Sequence, residues 1–341
     1  MNIDEFDYDL PPELIAQAPA ETRDASRLLV LHRPAGDIQD RAFTDVPALL
    51  RAGDCLVVND SRVIPARVLA EDDAGRPVEL LFVEPLSDTT WRALVRPGRR
   101  CRPGAHLRAG GVRLRVLGAD PDGARLIARE HGTIAALLDA HGLPPLPPYI
   151  ARHAKPVPED WERYQTVYAA TPGSVAAPTA GLHFTDAMLA TLRAAGVEVH
   201  AVTLHVGPAT FRPVTANIVE AHHVPPERAS VGEETARAIE RAHAEGRRVI
   251  AVGTTTVRVL ESAAAATGHV QPFDGSATLT VLPGYRFRAA DALLTNFHLP
   301  RSSLLLLVAA FAGREAVLRA YRHAVETRYR FYSYGDAMLI L

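Results

Sequence analysis

Three histidines stand at the ends of apolar runs, where a side chain that exchanges protons near neutral pH can do chemistry. His183 closes the small-residue stretch SVAAPTAGLHFT (174–185), His205 ends VEVHAVTLH, and His298 ends DALLTNFH. Short polar or small residues accompany each: Thr179, Gly181 and Thr185 around His183, Gly207 after His205, Thr295 and Asn296 before His298. A further tip, GTTTVR, offers Thr254 and Thr255 as donors at a helix start and Arg258 as a clamp for a carboxylate. Asn59 and Arg62 close the apolar strand CLVV in the same manner. Such a set suits proton transfer on a polar or anionic ligand, with His183, His205 and His298 as acid and base candidates. Any one of these histidines alone is more often structural; three at comparable positions shift the balance toward a site.

Rival chemistries lack their signatures. His200, His205, His222 and His223 have no HExxH, HxH or paired-carboxylate spacing, and strand alternation puts His200 and His205 on opposite faces. No metal site is therefore expected. There is no P-loop, GxGxxG or GxSxG, which disfavours nucleotide hydrolysis, a Rossmann dehydrogenase and a serine hydrolase. Cys55 and Cys101 lie in unrelated contexts, so no thiolate site or disulfide framework is suggested.

The elements that must position these tips fall into two textures. After Gly173, strands alternate with helical patterns, which predicts an α/β fold with a mainly parallel sheet covered by helices. That architecture gathers strand-end residues at one edge. Helices are expected over 186–195, with Thr185 as N-cap and Gly196 just past the end, over 232–245, and over 314–328. Between Val63 and Arg129, short β-type runs broken by Gly, Pro and Asp predict a small all-β, barrel-like insertion. The expected division is an α/β domain of residues 1–62 and 150–341 around an inserted domain of residues 63–149. Within the insertion, RPGRRCRPG collects Arg96, Arg99, Arg100 and Arg102 on one loop suited to phosphate, and near the C-terminus Tyr332 and Tyr334 offer rings for stacking on RNA.

The 341-residue chain has room for two domains, and its net charge of −2 argues against a surface wrapped in nucleic acid while allowing a local basic patch. The acidic start MNIDEFDYDL is unlike a targeting peptide, and the longest apolar run, 304–312, is too short to cross a bilayer. A cytoplasmic monomer with no membrane association is expected.

Taken together and in order, the motifs closely resemble the S-adenosylmethionine:tRNA ribosyltransferase-isomerase (QueA) family of queuosine biosynthesis. The matching segments include FDYDLPPELIAQAPAETRDASRLLVL, GDCLVVNDSRVIPARV, YQTVYAATPGSVAAPTAGLHFT, VIAVGTTTVRVLES and ALLTNFHLPRSSLLLLVAAFAG, within a span from residue 6 to residue 340. The resemblance implies an α/β domain with an inserted β-barrel. It implies transfer and isomerisation of the ribosyl part of S-adenosylmethionine onto 7-aminomethyl-7-deazaguanine at the tRNA wobble position. The product would be epoxyqueuosine-tRNA, with adenine and methionine released. S-adenosylmethionine is then a ribosyl-donating substrate, no prosthetic group is needed, and the partner is a tRNA anticodon loop. Two departures stand out: Ala209 replaces the second Gly of the family's Gly-x-Gly-Thr-Phe, and Pro225 replaces the second His of its His-x-Met-His-x-Glu. The alternatives are a diverged non-catalytic tRNA-binding relative and an enzyme acting on a free deazaguanine.

Overall fold

The computed structural model describes residues 1–33, 35–152, 155–208 and 214–341. The chain divides into two compact units: Met1–Arg62 with Arg163–Thr171 and Ala177–Leu341, and Val63–Glu162 with Pro172–Ala176. In chain order the strands are β1 (Arg27–His32), β2 (Asp37–Ala42), β3 (Cys55–Asn59), β4 (Ser61–Val63), β5 (Arg67–Asp72), β6 (Pro77–Pro85), β7 (Thr90–Arg96), β8 (His106–Ala109), β9 (Val112–Ala119) and β10 (Arg125–Arg129). They continue as β11 (Thr171–Ser174), β12 (Glu198–Leu204), β13 (Glu227–Val231), β14 (Val249–Val252), β15 (Phe273–Ala277), β16 (Ala292–Asn296) and β17 (Ala337–Ile340). The helices are α1 (Val46–Leu49), α2 (Ile134–His141), α3 (Glu159–Arg163), α4 (Asp186–Ala194), α5 (Glu233–Ala244), α6 (Thr254–Ala264), α7 (Ser303–Ala312) and α8 (Arg314–Glu326).

The first unit is built on a nine-stranded sheet among the described residues, in the order β15-β13-β12-β3-β14-β16-β17-β1-β2. Its central strands are continuous apolar runs because both faces are covered: CLVV, VIAV and AMLI are buried throughout. Alternate residues feed opposite cores, as a two-residue period requires. Leu29, Leu31, Ala251, Leu293, Met338 and Ile340 pack with α7 and α8. Leu28, Val30, Leu56, Ile250, Leu294 and Leu339 pack with α4 on the other face. Truncating one such leucine to alanine costs roughly 2–5 kcal/mol.

The sheet is mixed. Strands β12, β3, β14 and β16 run parallel to one another, and β17 and β1 form a second parallel pair. The β16–β17, β1–β2, β12–β13 and β13–β15 pairs are antiparallel. The mainly parallel sheet expected from the sequence is thus confined to a parallel centre. A buried apolar strand reads the same in either direction, so nothing in AMLI announces that it runs against β16.

Helix ends follow local chemistry. Thr185 caps α4 by accepting the Met188 N–H at 3.1 Å. Ser302 caps α7 through the Leu305 N–H at 3.3 Å. Gly253 turns β14 into α6 at φ +92°, a conformation that a side chain would resist.

The second unit is a closed six-stranded barrel, β10-β7-β6-β5-β8-β9, with antiparallel neighbours throughout. Val68, Leu80, Phe82, Leu114, Val116 and Ile127 fill it, and Ile134, Leu137 and Leu138 of α2 close the core. Closure leaves no free edge to aggregate.

Candidate active site in the α/β unit

Parallel pairing of β12, β3, β14 and β16 places their carboxyl ends on one edge of the sheet. Because β17 opposes β16 and β1 follows β17, the amino ends of these two strands reach the same edge, with Ala337 level with both Asn296 and Leu28. A hollow of about 500 Å3 opens there. Its walls are the 3₁₀ turn carrying Thr179 and Ala180, the start of α6 at Gly253 to Thr255, the strand end Thr295 to His298, and Tyr332 and Ser333.

A hydrogen-bonded chain runs through this wall. Thr179 Oγ1 donates to Asn296 Oδ1 at 3.1 Å, and Asn296 Nδ2 donates to His183 Nε2 at 3.1 Å. With Nε2 accepting, the imidazole proton sits on Nδ1 and points to Ser26 Oγ at 2.8 Å. Phe43 supports the ring at a centroid distance of 5.0 Å. Burial, aided by the charges of Arg330 and Arg23, pushes the His183 pKa down to about 4. His183 is therefore a neutral ring with both nitrogens engaged, and what it does best is orient Asn296.

His298 is held differently. Its Nε2 meets Thr295 Oγ1 at 2.9 Å, its backbone N–H donates to Tyr321 Oη at 3.1 Å, and its carbonyl accepts from Tyr8 Oη at 2.5 Å. Burial pushes its pKa down to about 3. Its ring lines the hollow, and among the described residues its Nδ1 has no hydrogen-bond partner. Opposite, the first amides of α6 carry no side-chain cap, so Thr254 and Thr255 present N–H groups at the positive end of a helix.

A scan with family models matches residues 3–340 to a family described as "Queuosine biosynthesis protein". The chain belongs to this family. A relative from Moorella thermoacetica, named S-adenosylmethionine:tRNA ribosyltransferase-isomerase, is 51% identical over 346 residues, covering 100% of both chains. One of the same name from Thermus thermophilus is 51% identical over 349 residues, covering 99% of each. A crystal structure of the S-adenosylmethionine tRNA ribosyltransferase from Thermotoga maritima is 40% identical, with a TM-score of 0.58 over 99% of this chain and 100% of that one.

Within this queuosine family member, Thr179, Thr254, Thr255, Thr295, Asn296 and His298 meet in the hollow. Other candidates do not. His205 is half-buried outside it, with Nδ1 on Ser61 Oγ at 2.9 Å, and its pKa is lowered by burial and then by Arg228. Asn59 spends its amide on the Leu204 backbone, the Ser61 N–H and Thr255 Oγ1, tying β3 to its neighbours. Arg62 is exposed. Thr185 is committed to capping, and Gly181 to a close approach: a Cβ there would overlap the Tyr168 hydroxyl. Gly207 donates its N–H to Glu227 Oε1 at 2.7 Å.

Arg258 needs correcting as a carboxylate clamp. Its guanidinium is buried against Glu227, and it also donates to the Ala277 and Leu279 carbonyls at 3.0 and 3.3 Å. The protein's own carboxylate fills the place foreseen for a ligand. Tyr332 and Tyr334 are both buried rather than presented on an open surface: Tyr332 lines the hollow, and Tyr334 packs edge-on against Tyr164 at 6.0 Å. Arg96, Arg99 and Arg102 are exposed, whereas Arg100 is half-buried and donates to the Pro77 carbonyl at 2.6 Å.

Ser26, Tyr8, Tyr321 and Glu227 were missed by sequence reasoning. Ser26 and Tyr8 fall inside the long N-terminal motif FDYDLPPELIAQAPAETRDASRLL, whose polar positions were the available signal. Pro225 follows Val224, whose N–H donates to Thr280 Oγ1 at 3.0 Å. Ala209 lies outside the described residues. Among the described residues, no group of three or more His, Cys, Asp or Glu is arranged to hold a metal. No helix of theirs is long and apolar enough to cross a membrane.

Proposed function

We propose that this chain transfers and isomerises the ribosyl part of S-adenosylmethionine onto 7-aminomethyl-7-deazaguanine at the wobble position of a tRNA, releasing adenine and methionine. The observation that carries this reading is the convergence of His298, the Thr179–Asn296 couple and the uncapped amides of α6 on one hollow. It occurs in a chain that matches its ribosyltransferase-isomerase relatives from end to end. S-adenosylmethionine acts as a substrate, and the chain works as a monomer in the cytoplasm.

The chemistry follows from the charges. A sulfonium acidifies the adjacent 5′-methylene, and His298, which lines the hollow and whose Nδ1 has no partner among the described residues, is the base for that proton. The C5′–H bond breaks, its electron pair stays on carbon beside sulfur, and the proton passes to the imidazole. Net charge in the hollow is unchanged, because the positive charge of the sulfonium substrate moves to the ring. The imidazolium so formed can return its proton, and adenine is the leaving group that needs one. His183 acts through Asn296 as a positioning residue, and Thr254, Thr255 and Thr295 meet the ribose oxygens. The exposed Arg96, Arg99 and Arg102 of the barrel loop contact RNA phosphate.

One incubation tests the reaction: protein, S-adenosylmethionine and tRNA carrying the aminomethyl-deazaguanine, with adenine measured. Release that requires the tRNA is expected. Absence of release points to a binding protein, and release with the free base alone points to a small-molecule enzyme.

A further inference from the structure

Behind His183 lies a second hollow of about 280 Å3, lined by Arg23, Ser26, Arg163, His183 and Tyr334 among others. It and the main hollow share Ser333, and the His183 ring stands between them: Nδ1 meets Ser26 on one side and Nε2 meets Asn296 on the other. The walls are cationic. Arg163 donates to the carbonyls of Ala20 at 2.6 Å and Glu21 at 3.0 Å, and Arg23 to that of Leu182 at 3.3 Å. Arg330 is not part of the lining, but its charge, with that of Arg23, bears on His183 in the wall, and it donates to the Ala18 carbonyl.

Backbone carbonyls hold a guanidinium in place without neutralising it. Among the described residues, neither Arg163 nor Arg330 has a carboxylate oxygen within ion-pair distance of its guanidinium. Asp336, the acid whose charge bears on Arg330, is buried and accepts the backbone N–H groups of Arg27 and Arg330. Ser26 Oγ accepts from His183, which leaves its own proton for an anion in the hollow.

We propose that this arginine-walled hollow binds a phosphodiester of the tRNA backbone, next to the nucleotide whose base enters the main hollow. The proposal rests on the reaction proposed above. A phosphodiester fits better than the amino-acid end of S-adenosylmethionine, which brings an ammonium beside its carboxylate. Among the described residues, no carboxylate side chain lines this hollow to receive that ammonium. Base and phosphate of adjoining nucleotides are separated by little more than a sugar, and the two hollows by one imidazole.

The test reads binding apart from turnover. Arg163→Gln, Arg330→Gln and the charge-retaining Arg163→Lys are titrated with an anticodon stem-loop across a salt series, and the KM for S-adenosylmethionine is measured alongside. Each Gln variant should weaken stem-loop binding about tenfold at low salt and lower the logarithmic salt slope by roughly one, while Arg163→Lys keeps the slope. The KM for S-adenosylmethionine should stay within about twofold of wild type in all three. Unchanged affinity and slope in both Gln variants would overturn the proposal. So would a raised KM for S-adenosylmethionine with stem-loop binding intact, which would give the hollow to the donor. Thermal unfolding of each variant separates a lost contact from a lost fold. A wild-type protein that binds the stem-loop but releases no adenine would refute the reaction and leave this site standing.

Discussion

The two units treat polar groups in opposite ways. Along the strand-end edge of the α/β unit, His183, His298, Thr254, Thr255, Thr295, Asn296, Glu227 and Arg258 are all buried. In the barrel strands the buried side chains are almost wholly apolar, Arg67 excepted, and the charges face outward. Arg92 of the barrel, for instance, reaches Glu84, Asp120 and Asp122 at 2.6–2.8 Å across a partly solvated surface. Burying polar groups is costly unless each is satisfied, so a concentration of them on one edge marks where the fold has exchanged stability for chemistry. The barrel makes no such exchange.

Removing one ion-paired residue from each unit should expose this contrast most strongly. Glu227→Ala leaves Arg258 buried without its carboxylate and should destabilise the α/β unit by about 3–5 kcal/mol. Arg92→Ala in the barrel should cost no more than about 1 kcal/mol. Denaturant unfolding of the two variants checks both, and equal costs would erase the distinction.

Acid should then unfold the α/β edge through its histidines. His183 and His298 stay neutral in the folded chain down to pKa values of about 4 and about 3, but take up protons near 6.5 once unfolded. Between those values the unfolded state binds more protons, so stability is full above pH 6.5 and falls as pH drops toward 4. The loss for two such groups amounts to a few kcal/mol. Unfolding measured at several pH values should show this slope, and His298→Gln should flatten it. A slope unaffected by the substitution would mean that His298 is not held neutral.

A more local effect concerns the close approach beneath the His183 turn. Gly181→Ala should cost about 1–3 kcal/mol because its methyl overlaps the Tyr168 hydroxyl. That hydroxyl is buried and has no hydrogen-bond partner among the described residues, so Tyr168→Phe should be neutral or stabilising and should relieve part of the Gly181→Ala cost, Thr166 Cγ2 and the ring Cζ still lying 2.9 Å from the added methyl. Calorimetry on the single and double variants decides it; a double variant no more stable than Gly181→Ala would show that the clash lies elsewhere.

How much of this was legible in the sequence differed between the units for physical reasons. Each barrel strand announces itself by alternation or by Gly and Pro at its ends, and the short β-type runs between Val63 and Arg129 include the six barrel strands β5 to β10. In the α/β unit, buried strands such as Cys55–Asn59 were visible, but β2, DIQDRA, has no apolar face to reveal it. Likewise the strand Phe273–Ala277, FDGSA, has Asp, Gly and Ser at its centre and no apolar alternation to mark it. At the site, His298, Asn296 and the α6 threonines were legible because they follow apolar runs. The pairing of Arg258 with Glu227, separated by 31 positions, was not, since a sequence shows a guanidinium but not what neutralises it. Tyr332 and Tyr334 read as surface aromatics because polar residues surround them, yet both are buried.

The central claim is that His298 moves the proton while His183 only positions Asn296. Single-turnover adenine release from S-adenosylmethionine, with modified tRNA in excess, tests it in His298→Ala and His183→Ala side by side. The account predicts a loss of roughly a hundredfold or more for His298→Ala and a markedly smaller one for His183→Ala. A His298→Ala protein that releases adenine within a few-fold of wild type would contradict it.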